Sequence, residues 1–261
     1  MRFLLIGDVV GRPGRHCVRD LLPRIIENYK IDFIIANGEN LAAGTGFNER
    51  TAMELFSYGV DVLTMGNHVW DKKEALHYIE KEKRIVRPVN YPAGTPGQGY
   101  ALYHCKGQAI GVINASGRVF MPTLDCPFRA VDKAVAYLQQ KTNIILIDFH
   151  AEATSEKIAL GRYFDGRVSA VVGTHTHVQT ADERILTKGT AYITDLGMTG
   201  ALESVLGVEP ELVLRKFLTQ MPVRFEVAKD GPSQFNGVIV DVSEETGKAC
   251  EISRFTDLHE F

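Results

Sequence analysis

The sequence lacks most of the features that mark secreted and membrane-spanning proteins. It has only four cysteines among 261 residues. They lie far apart and form no CxxC pair, so we expect reduced thiols with structural or incidental roles. The N-terminal apolar run covers only residues 3–6, which is too short for a secretory leader or a membrane span. We therefore predict a cytoplasmic protein.

The sequence also lacks an excess of either charge. It carries 29 Lys and Arg against 32 Asp and Glu, a formal charge of −3. The basic residues are scattered evenly, which argues against a protein that coats nucleic acid through its phosphates. No linker or low-complexity stretch interrupts the chain, and a hydrophobic content of 45% is enough to build a core. We predict one domain over residues 1–261.

What the sequence does contain is a set of polar residues that each follow a short, apolar, β-branched run. Five such runs lead to Asp8, to Glu39 and Asn40, to Asn67 and His68, to His150, and to Gly173-Thr174-His175-Thr176-His177. Continuous apolar runs are typical of strands buried on both faces. Open α/β sheets bind their ligands at the carboxyl ends of the strands. We therefore expect these polar side chains to meet at one edge.

The pair His175 and His177 is the most informative of these blocks. If the preceding strand continues through the pair, the two imidazoles project to the same face, because side chains alternate along a strand. Imidazole binds zinc, iron, copper and nickel. Together with the other strand-end residues, the pair predicts a dinuclear metal site.

The segments between these runs have apolar residues at helical spacing. We predict helices over residues 15–30, from a cap at Asn48, from a capping box at residues 71–74 to residue 83, from a cap at Asp125 through residues 131–138, from a cap at Thr154 or Ser155, and over residues 209–220. After these helices, residues 221–227, 235–242 and 248–255 are predicted to form a strand meander. The class is α/β, with either one mixed sheet or two sheets packed face to face.

The order of the polar blocks resembles that of the calcineurin-like metallophosphoesterases, with their Asp, acidic bridge, GNH, His and GHxH blocks. Longer stretches are similar to the YmdB-like branch, known as bacterial 2′,3′-cyclic-nucleotide phosphodiesterases. These stretches are Ile6-Gly7-Asp8-Val9-Val10-Gly11, Asn37-Gly38-Glu39-Asn40, and residues 65–73 and 148–157. The resemblance runs from Met1 to about Val240. It implies a four-layer α/β/β/α sandwich with mixed sheets.

Two positions depart from the wider superfamily. Val10 stands where many members have a histidine, and Glu39 stands where aspartate is usual. The resemblance then implies two metal ions that share the Glu39 carboxylate, with Asn40 substituting for the missing imidazole. The first ion would be held by Asp8, Glu39, Asn40 and His177, and the second by Glu39, Asn67, His150 and His175.

The resemblance also implies a reaction. A hydroxide shared by the two ions would attack the phosphorus of a small phosphodiester, a 2′,3′-cyclic nucleotide. His68, which this assignment leaves without a metal, would be the general acid, a role worth about 10²–10⁴-fold in rate. Carboxylate, amide and imidazole ligands without thiolate favour iron, otherwise manganese, as divalent or mixed-valence ions, over a structural zinc site.

Two other functions stay open at this point. One is a different specificity on the same metals, as in a phosphomonoesterase or a protein phosphatase, and a panel of substrates would separate it. The other is a metal-binding regulatory protein with vestigial catalysis, whose partner is RNA or another protein. The intact His68 argues against the second alternative.

Several other features have two interpretations. Arg12 and Arg15 either hold a phosphate or are solvated, and Trp70 and Phe149 either stack on a base or belong to the core. The loop over residues 42–47 either presents amides to a phosphate or is simply flexible. Residues 91–99 form a lid or a subunit contact, so the sequence leaves homo-oligomerisation open. No role is expected for His16, His77, His104 and His259.

Overall fold

The computed structural model describes residues 1–260 and has two β-sheets with helices on their outer faces. The strands are β1 (Arg2–Ile6), β2 (Asp8–Val9), β3 (Phe33–Asn37), β4 (Val62–Thr64), β5 (Ile85–Val86), β6 (Tyr100–Cys105), β7 (Gln108–Ser116), β8 (Ile144–His150), β9 (Ala170–Thr174), β10 (Arg184–Ile185), β11 (Ala191–Ile193), β12 (Met198–Ala201), β13 (Ser233–Val242) and β14 (Ala249–His259). The helices are α1 (Gly11–Tyr29), α2 (Glu49–Ser57), α3 (Ala75–Lys81), α4 (Pro127–Leu138), α5 (Thr154–Phe164) and α6 (Pro210–Thr219).

The first sheet has the order β2-β12-β13-β1-β3-β4-β5, and β14 pairs with β13. Strands β1, β3, β4 and β5 are parallel, with Phe3 opposite Phe33 and Leu63 opposite Ile85. Strand β13 is antiparallel to both β1 and β14. The last two strands of the predicted meander are therefore confirmed, and they make this sheet mixed.

The second sheet has the order β10-β11-β9-β8-β7-β6. Its four central strands are parallel, with Val112 opposite Leu146 and Leu146 opposite Ala170. The edge strands β6 and β10 are antiparallel to their neighbours. The carboxyl ends of β8 and β9 therefore lie side by side.

Apolar cores hold the layers together. Leu5 of the first sheet and Leu146 of the second belong to the core between the sheets. Leu4 faces the other way, into a core shared with α1, α2 and α3, and Ile147 faces a core shared with α4 and α5. Since both faces of the central strands are buried, these strands need continuous apolar runs. The four-layer α/β/β/α arrangement is confirmed.

The first segment of the predicted meander is not a strand. Over residues 221–227 only Val227 makes a β-bridge, with Val208. Pro222 has no amide hydrogen to donate, and the side chains of this segment are mostly exposed. Residues 221–227 therefore have the composition of a strand but do not form one.

Three predicted helix caps are wrong. Helix α3 begins at Ala75 rather than after a capping box, since the carboxylate of Asp71 lies 2.8 Å from Nδ1 of His68. Helix α4 begins at Pro127, a residue suited to the first helical position, and not at an Asp125 cap. Helix α5 follows Ala153, without a side-chain cap from Thr154 or Ser155.

The other helix predictions agree better with the structure. The cap at Asn48 is confirmed, because its side chain accepts a hydrogen bond from the backbone of Thr51. Helix α1 begins four residues earlier than the predicted start at residue 15 and continues through Pro23. No helix within residues 1–260 is both long and apolar enough to cross a membrane.

Candidate functional site

The polar blocks that follow β1, β3, β4, β8 and β9 meet at the carboxyl ends of these strands, where the two sheets adjoin. Glu39 links three of the blocks. Its Oε2 accepts the backbone N–H of His68 at 2.9 Å, and its Oε1 lies 3.0 Å from Nε2 of His150. The backbone N–H of His175 donates to Oδ2 of Asp8 at 3.1 Å. The predicted convergence at one edge is confirmed.

One group of side chains surrounds the amide of Asn40. Its Nδ2 lies 3.4 Å from Oδ1 of Asp8, 3.4 Å from Oε1 of Glu39 and 3.3 Å from Nε2 of His177. Oδ1 of Asp8 and Nε2 of His177 are 3.7 Å apart. A half-turn of the amide would exchange its nitrogen for its oxygen, which is the atom that could bind a metal. The four residues expected to share the first ion are therefore neighbours.

A second group lies around His150. Its Nε2 is 3.0 Å from Oδ1 of Asn67 and 3.0 Å from Nδ1 of His175. Ligand atoms of Glu39, His150 and His175 all lie within 4.8 Å of one another and could hold a metal ion. Oε1 of Glu39 contacts both His150 and Asn40, so the same oxygen joins the two groups.

The run His175-Thr176-His177 is not the continuation of a strand. Strand β9 ends at Thr174, and His175 and His177 have φ angles of 99° and 64°. Such angles are uncommon outside glycine, so surrounding contacts must hold this loop. The carboxylate of Asp195 accepts the backbone N–H and the hydroxyl of Thr176 at 3.0 and 2.7 Å. The imidazoles reach the same site through a turn, and not by strand alternation.

The Asp195 carboxylate that contacts this loop is itself part of a buried ion pair. Nζ of Lys157 in α5 lies 2.6 Å from Oδ2 of Asp195, and both side chains are almost fully buried. The other oxygen of Asp195 accepts the N–H of Gly197 at 2.8 Å. Sequence reasoning missed both charged residues. The signal was the short apolar strand β11, which also ends just before a polar block.

The second nitrogen of each candidate histidine ligand also lies near a defined group. Nδ1 of His150 lies 2.9 Å from the hydroxyl of Thr174, which donates to Asp148 at 2.8 Å. Nε2 of His175 lies 3.1 Å from the carboxylate of Glu152. Nδ1 of His177 lies 3.0 Å from the carbonyl oxygen of Leu206. Such contacts fix ring orientation and leave the opposite nitrogen free for a metal.

Asp148 and Glu152 were not predicted as site residues, although their positions carried a signal. Asp148 lies two residues before His150 on the same strand, so it projects to the same face. Thr64 also donates a hydrogen bond of 2.5 Å to Asp148. Glu152 lies two residues after His150, and its side chain is about half exposed. Both residues lie within a stretch that carries the family resemblance.

The electrostatics of the cluster suit a cation. Burial raises the pKa of Asp8 to about 6. Burial alone would raise the pKa of Glu39, but the charge of His150 holds it at about 2, and Glu39 in turn raises the pKa of the buried His150 to about 9. Burial and the charge of His150 lower the pKa of His175 to about 3.

The donor set therefore fits a divalent metal. Within residues 1–260, no lysine or arginine side chain forms an ion pair with Asp8 or Glu39. The proton on His150 is what balances the buried carboxylates, and a divalent ion can replace it. The donors are carboxylate, amide and imidazole, without a thiolate, a set that transition metals accept.

His68 stands apart from the two groups of candidate ligands. Its Nδ1 lies 2.8 Å from Oδ2 of Asp71, and its side chain is 35% exposed. Only its backbone contacts Glu39. The neighbouring Asp71 was predicted as a helix cap, and the structure instead gives it the role of orienting this imidazole.

Val10 occupies a tightly packed position. It is 3% exposed, and a Cβ added to Gly207 would come within 2.7 Å of its Cγ1. Val10 therefore packs closely against the backbone at Gly207. The amide of Asn40 lies near both Asp8 and His177.

The structure decides several interpretations that the sequence left open. Phe149 is fully buried and belongs to the core beneath the second sheet. Trp70 is only partly buried and packs edge-on against Tyr91, with ring centroids 5.8 Å apart. Arg15 is buried and pairs with Glu54 at 2.6 Å, whereas Arg12 is exposed.

Comparison with known proteins decides the family. The sequence profile described as YmdB-like protein matches residues 4–255. The chain belongs to the YmdB-like family. A Bacillus subtilis (strain 168) relative named 2′,3′-cyclic-nucleotide 2′-phosphodiesterase is 52% identical over 254 residues, which cover 97% of this chain and 96% of that protein.

Two solved structures have the same fold over nearly the whole length of both chains. A hypothetical protein from Thermus thermophilus superposes with a TM-score of 0.93 at 45% identity, covering 99% of this chain and 100% of that one. A crystal structure described as a novel phosphatase from Mycoplasma pneumoniae also gives a TM-score of 0.93, at 35% identity, covering 100% of this chain and 94% of that one. The resemblance stated from the sequence motifs is confirmed.

The absence of a side chain at Gly66 gives a test of the geometry. A Cβ at Gly66 would lie 2.3 Å from Cδ2 of His150 and 2.4 Å from Oε2 of Glu39. Gly66→Ala should therefore displace both side chains, and we expect the affinity for Mn²⁺, measured by titration calorimetry, to fall by about 10–100-fold. Gly111→Ala, in β7, is the control, because its added Cβ meets only side-chain atoms of Leu138 and Ile145, at 3.0 Å and beyond. A folded Gly66→Ala variant with unchanged Mn²⁺ affinity would contradict this geometry.

Proposed function

We propose that this protein is a metal-dependent phosphodiesterase that opens 2′,3′-cyclic nucleotides. The observation that carries the proposal is the Glu39 carboxylate, because one of its oxygens contacts both groups of candidate ligands. The 52% identity to a relative with this named activity supports the same conclusion. A centre that holds two cations beside one another suits a cyclic diester, whose anionic phosphate is esterified to two oxygens of the same ribose.

We assign the metal ligands as the sequence predicted them. Asp8, Glu39, Asn40 and His177 would hold one ion, and Glu39, Asn67, His150 and His175 the other. When bound there, two divalent ions would supply an activated water and neutralise the phosphate charge. Iron is the favoured metal and manganese the next, because the ligand set mixes carboxylate, amide and imidazole without thiolate.

His68 and Asp71 would supply the proton that the leaving ribose oxygen needs. Asp71 accepts from Nδ1 of His68, so Nε2 is the nitrogen that can donate to substrate. A general acid needs its donating nitrogen directed at the leaving oxygen, and the contact with Asp71 fixes the orientation of the ring. The backbone N–H of His68 donates to Glu39. This hydrogen bond keeps the residue next to the proposed metal ligands and leaves its imidazole free of a metal.

We also propose a cytoplasmic location and a single domain. Cys17, Cys105, Cys126 and Cys250 are free thiols, which fits the predicted cytoplasmic location. The family profile covers residues 4–255 without a break, which supports one domain over residues 1–261.

A phosphomonoesterase is the second candidate, because the Mycoplasma pneumoniae neighbour is described as a phosphatase. A substrate panel separates the two. The Mn²⁺-loaded protein should hydrolyse 2′,3′-cyclic AMP and GMP with kcat/KM at least about tenfold above that for p-nitrophenyl phosphate or a phosphopeptide, a difference in barrier of about 1.4 kcal/mol. Faster turnover of the monoesters would reverse the assignment.

The proposed general acid gives a second prediction. His68→Ala should retain close to the wild-type metal content while kcat on 2′,3′-cyclic AMP falls by about 10²–10⁴-fold. Asp71→Asn should reduce kcat by a smaller factor, because the imidazole stays but loses its orienting carboxylate. His77→Ala, an exposed position in α3, is the matched control.

Elemental analysis of the same preparations interprets the result. A His68→Ala variant that loses metal would show His68 to be a ligand. An unchanged kcat would show that the proton comes from another group. Either outcome would remove the proposed role of His68.

A further inference from the structure

A cleft beside the candidate metal centre contains none of its proposed ligands. Its volume is about 890 Å³, and it lies between the start of α1, the loop before α2 and the segment before β13. Six basic side chains line it, and they are Arg12, Arg15, Arg50, Lys72, Arg224 and Lys229. This concentration contrasts with the net charge of −3 of the whole chain.

Most of these cations have no carboxylate partner. Arg15 pairs with Glu54 at 2.6 Å, and Lys229 lies 3.9 Å from Glu226. The remaining four, Arg12, Arg50, Lys72 and Arg224, form no ion pair with residues of the described part of the chain. Unpaired cations that line a common cleft repel one another and create a positive potential, which an anion would neutralise.

The start of α1 adds to this potential. The helix begins at Gly11 without a side-chain cap and without an acidic residue in its first turn. This end of the helix carries the positive end of the helix dipole, although the N–H of Gly11 already donates to the carbonyl oxygen of Asn40 at 2.9 Å. Arg12 and Pro13, in the same turn, line the cleft. The cleft therefore combines side-chain and backbone features that favour anions.

An aromatic side chain completes the lining. Phe225 lies between Arg224 and Glu226 on the wall of the cleft and is 50% exposed. Exposed aromatic rings next to basic side chains are the usual means of binding single-stranded nucleic acid, because bases stack on the rings while cations contact the phosphates. A cleft for inorganic anions alone would not need such a ring.

Two loops connect the cleft to the candidate active site. Asn40, a proposed ligand, is followed by Ala42 and Ala43 on the cleft wall, and Asp71, the partner of His68, is followed by Lys72. His68 must face the ribose, since it donates to the leaving ribose oxygen. Lys72 follows Asp71 directly in sequence, so a chain attached to the 5′ side of that ribose would reach the cleft if it passed these two residues.

From this continuity we propose that the cleft binds the 5′-flanking nucleotides of an oligoribonucleotide whose terminal 2′,3′-cyclic phosphate lies at the metal centre. The inference rests on the proposed function and names its substrate class. Water adds to phosphorus, one bond between phosphorus and a ribose oxygen breaks, and that oxygen takes a proton from His68. The product is an RNA end with a terminal phosphomonoester.

Charge removal in the cleft tests the proposal. The test variant is Arg50→Gln with Arg224→Gln, and the control is Arg129→Gln with Lys133→Gln, two cations of α4 on the opposite outer layer. The first readout is the fluorescence anisotropy of a 5′-labelled hexaribonucleotide 3′-phosphate bound to the Mn²⁺-loaded protein. The second is the ratio of kcat/KM for a hexaribonucleotide 2′,3′-cyclic phosphate to that for 2′,3′-cyclic AMP.

In the wild-type protein we expect kcat/KM for the hexamer to exceed that for the mononucleotide by about tenfold or more. A few phosphate contacts are enough to produce such a factor. The double variant should lose most of this ratio and bind the labelled hexamer more weakly. Its plot of log Kd against log salt should also become shallower, by about 0.7 for each phosphate contact that is lost. The control pair should change neither readout.

Three results would count against the proposal. Equal kcat/KM for hexamer and mononucleotide in the wild-type protein would overturn it and leave the proposed function intact. Displacement of the hexamer by inorganic triphosphate, without dependence on oligonucleotide length, would show a separate anion site instead. Failure of the loaded wild-type protein to open either substrate would overturn the proposed function, and this inference with it.

Discussion

Two carboxylates, Asp8 and Glu39, are buried where the sheets adjoin, and the rest of the site is arranged around them. Each is at most 1% exposed. An unpaired buried carboxylate costs several kcal/mol, so the fold must provide compensating charge or hydrogen bonds. In the protein alone, the imidazole of His150 and backbone N–H groups from His68 and His175 provide them. Cations bound to the same groups would compensate the two charges more completely.

The scaffold keeps these groups in place through a second set of buried polar contacts. Asp148 accepts from Thr64 and Thr174 behind His150, and Asp195, paired with Lys157, holds the backbone of Thr176. Neither carboxylate is a proposed metal ligand. Fully satisfied buried networks of this kind rigidify a site. They explain how a turn with unusual backbone angles can present two imidazoles to the same point.

The sequence predicted which polar blocks meet better than it predicted the local structure around them. The convergence of Asp8, Glu39 and His150 could be predicted because each follows an apolar run, and parallel strands bring such positions to one edge. The backbone of His175 and His177 could not be found, because a contact with Asp195, distant in sequence, decides it. Asp71 was misassigned for a related reason: the carboxylate that suits a helix cap equally suits an imidazole. The basic cleft could not be predicted from the sequence, because its cations come from separate segments of the chain.

Anomalous diffraction from a crystal of the Mn²⁺-loaded protein would show whether Glu39 is shared by two ions. We expect two anomalous peaks per chain, about 3.5–4 Å apart. One should lie against Asp8 and Asn40, the other against His150 and His175, with Glu39 touching both. A single peak, or a peak coordinated by His68, would contradict the shared-carboxylate centre on which the proposed function depends.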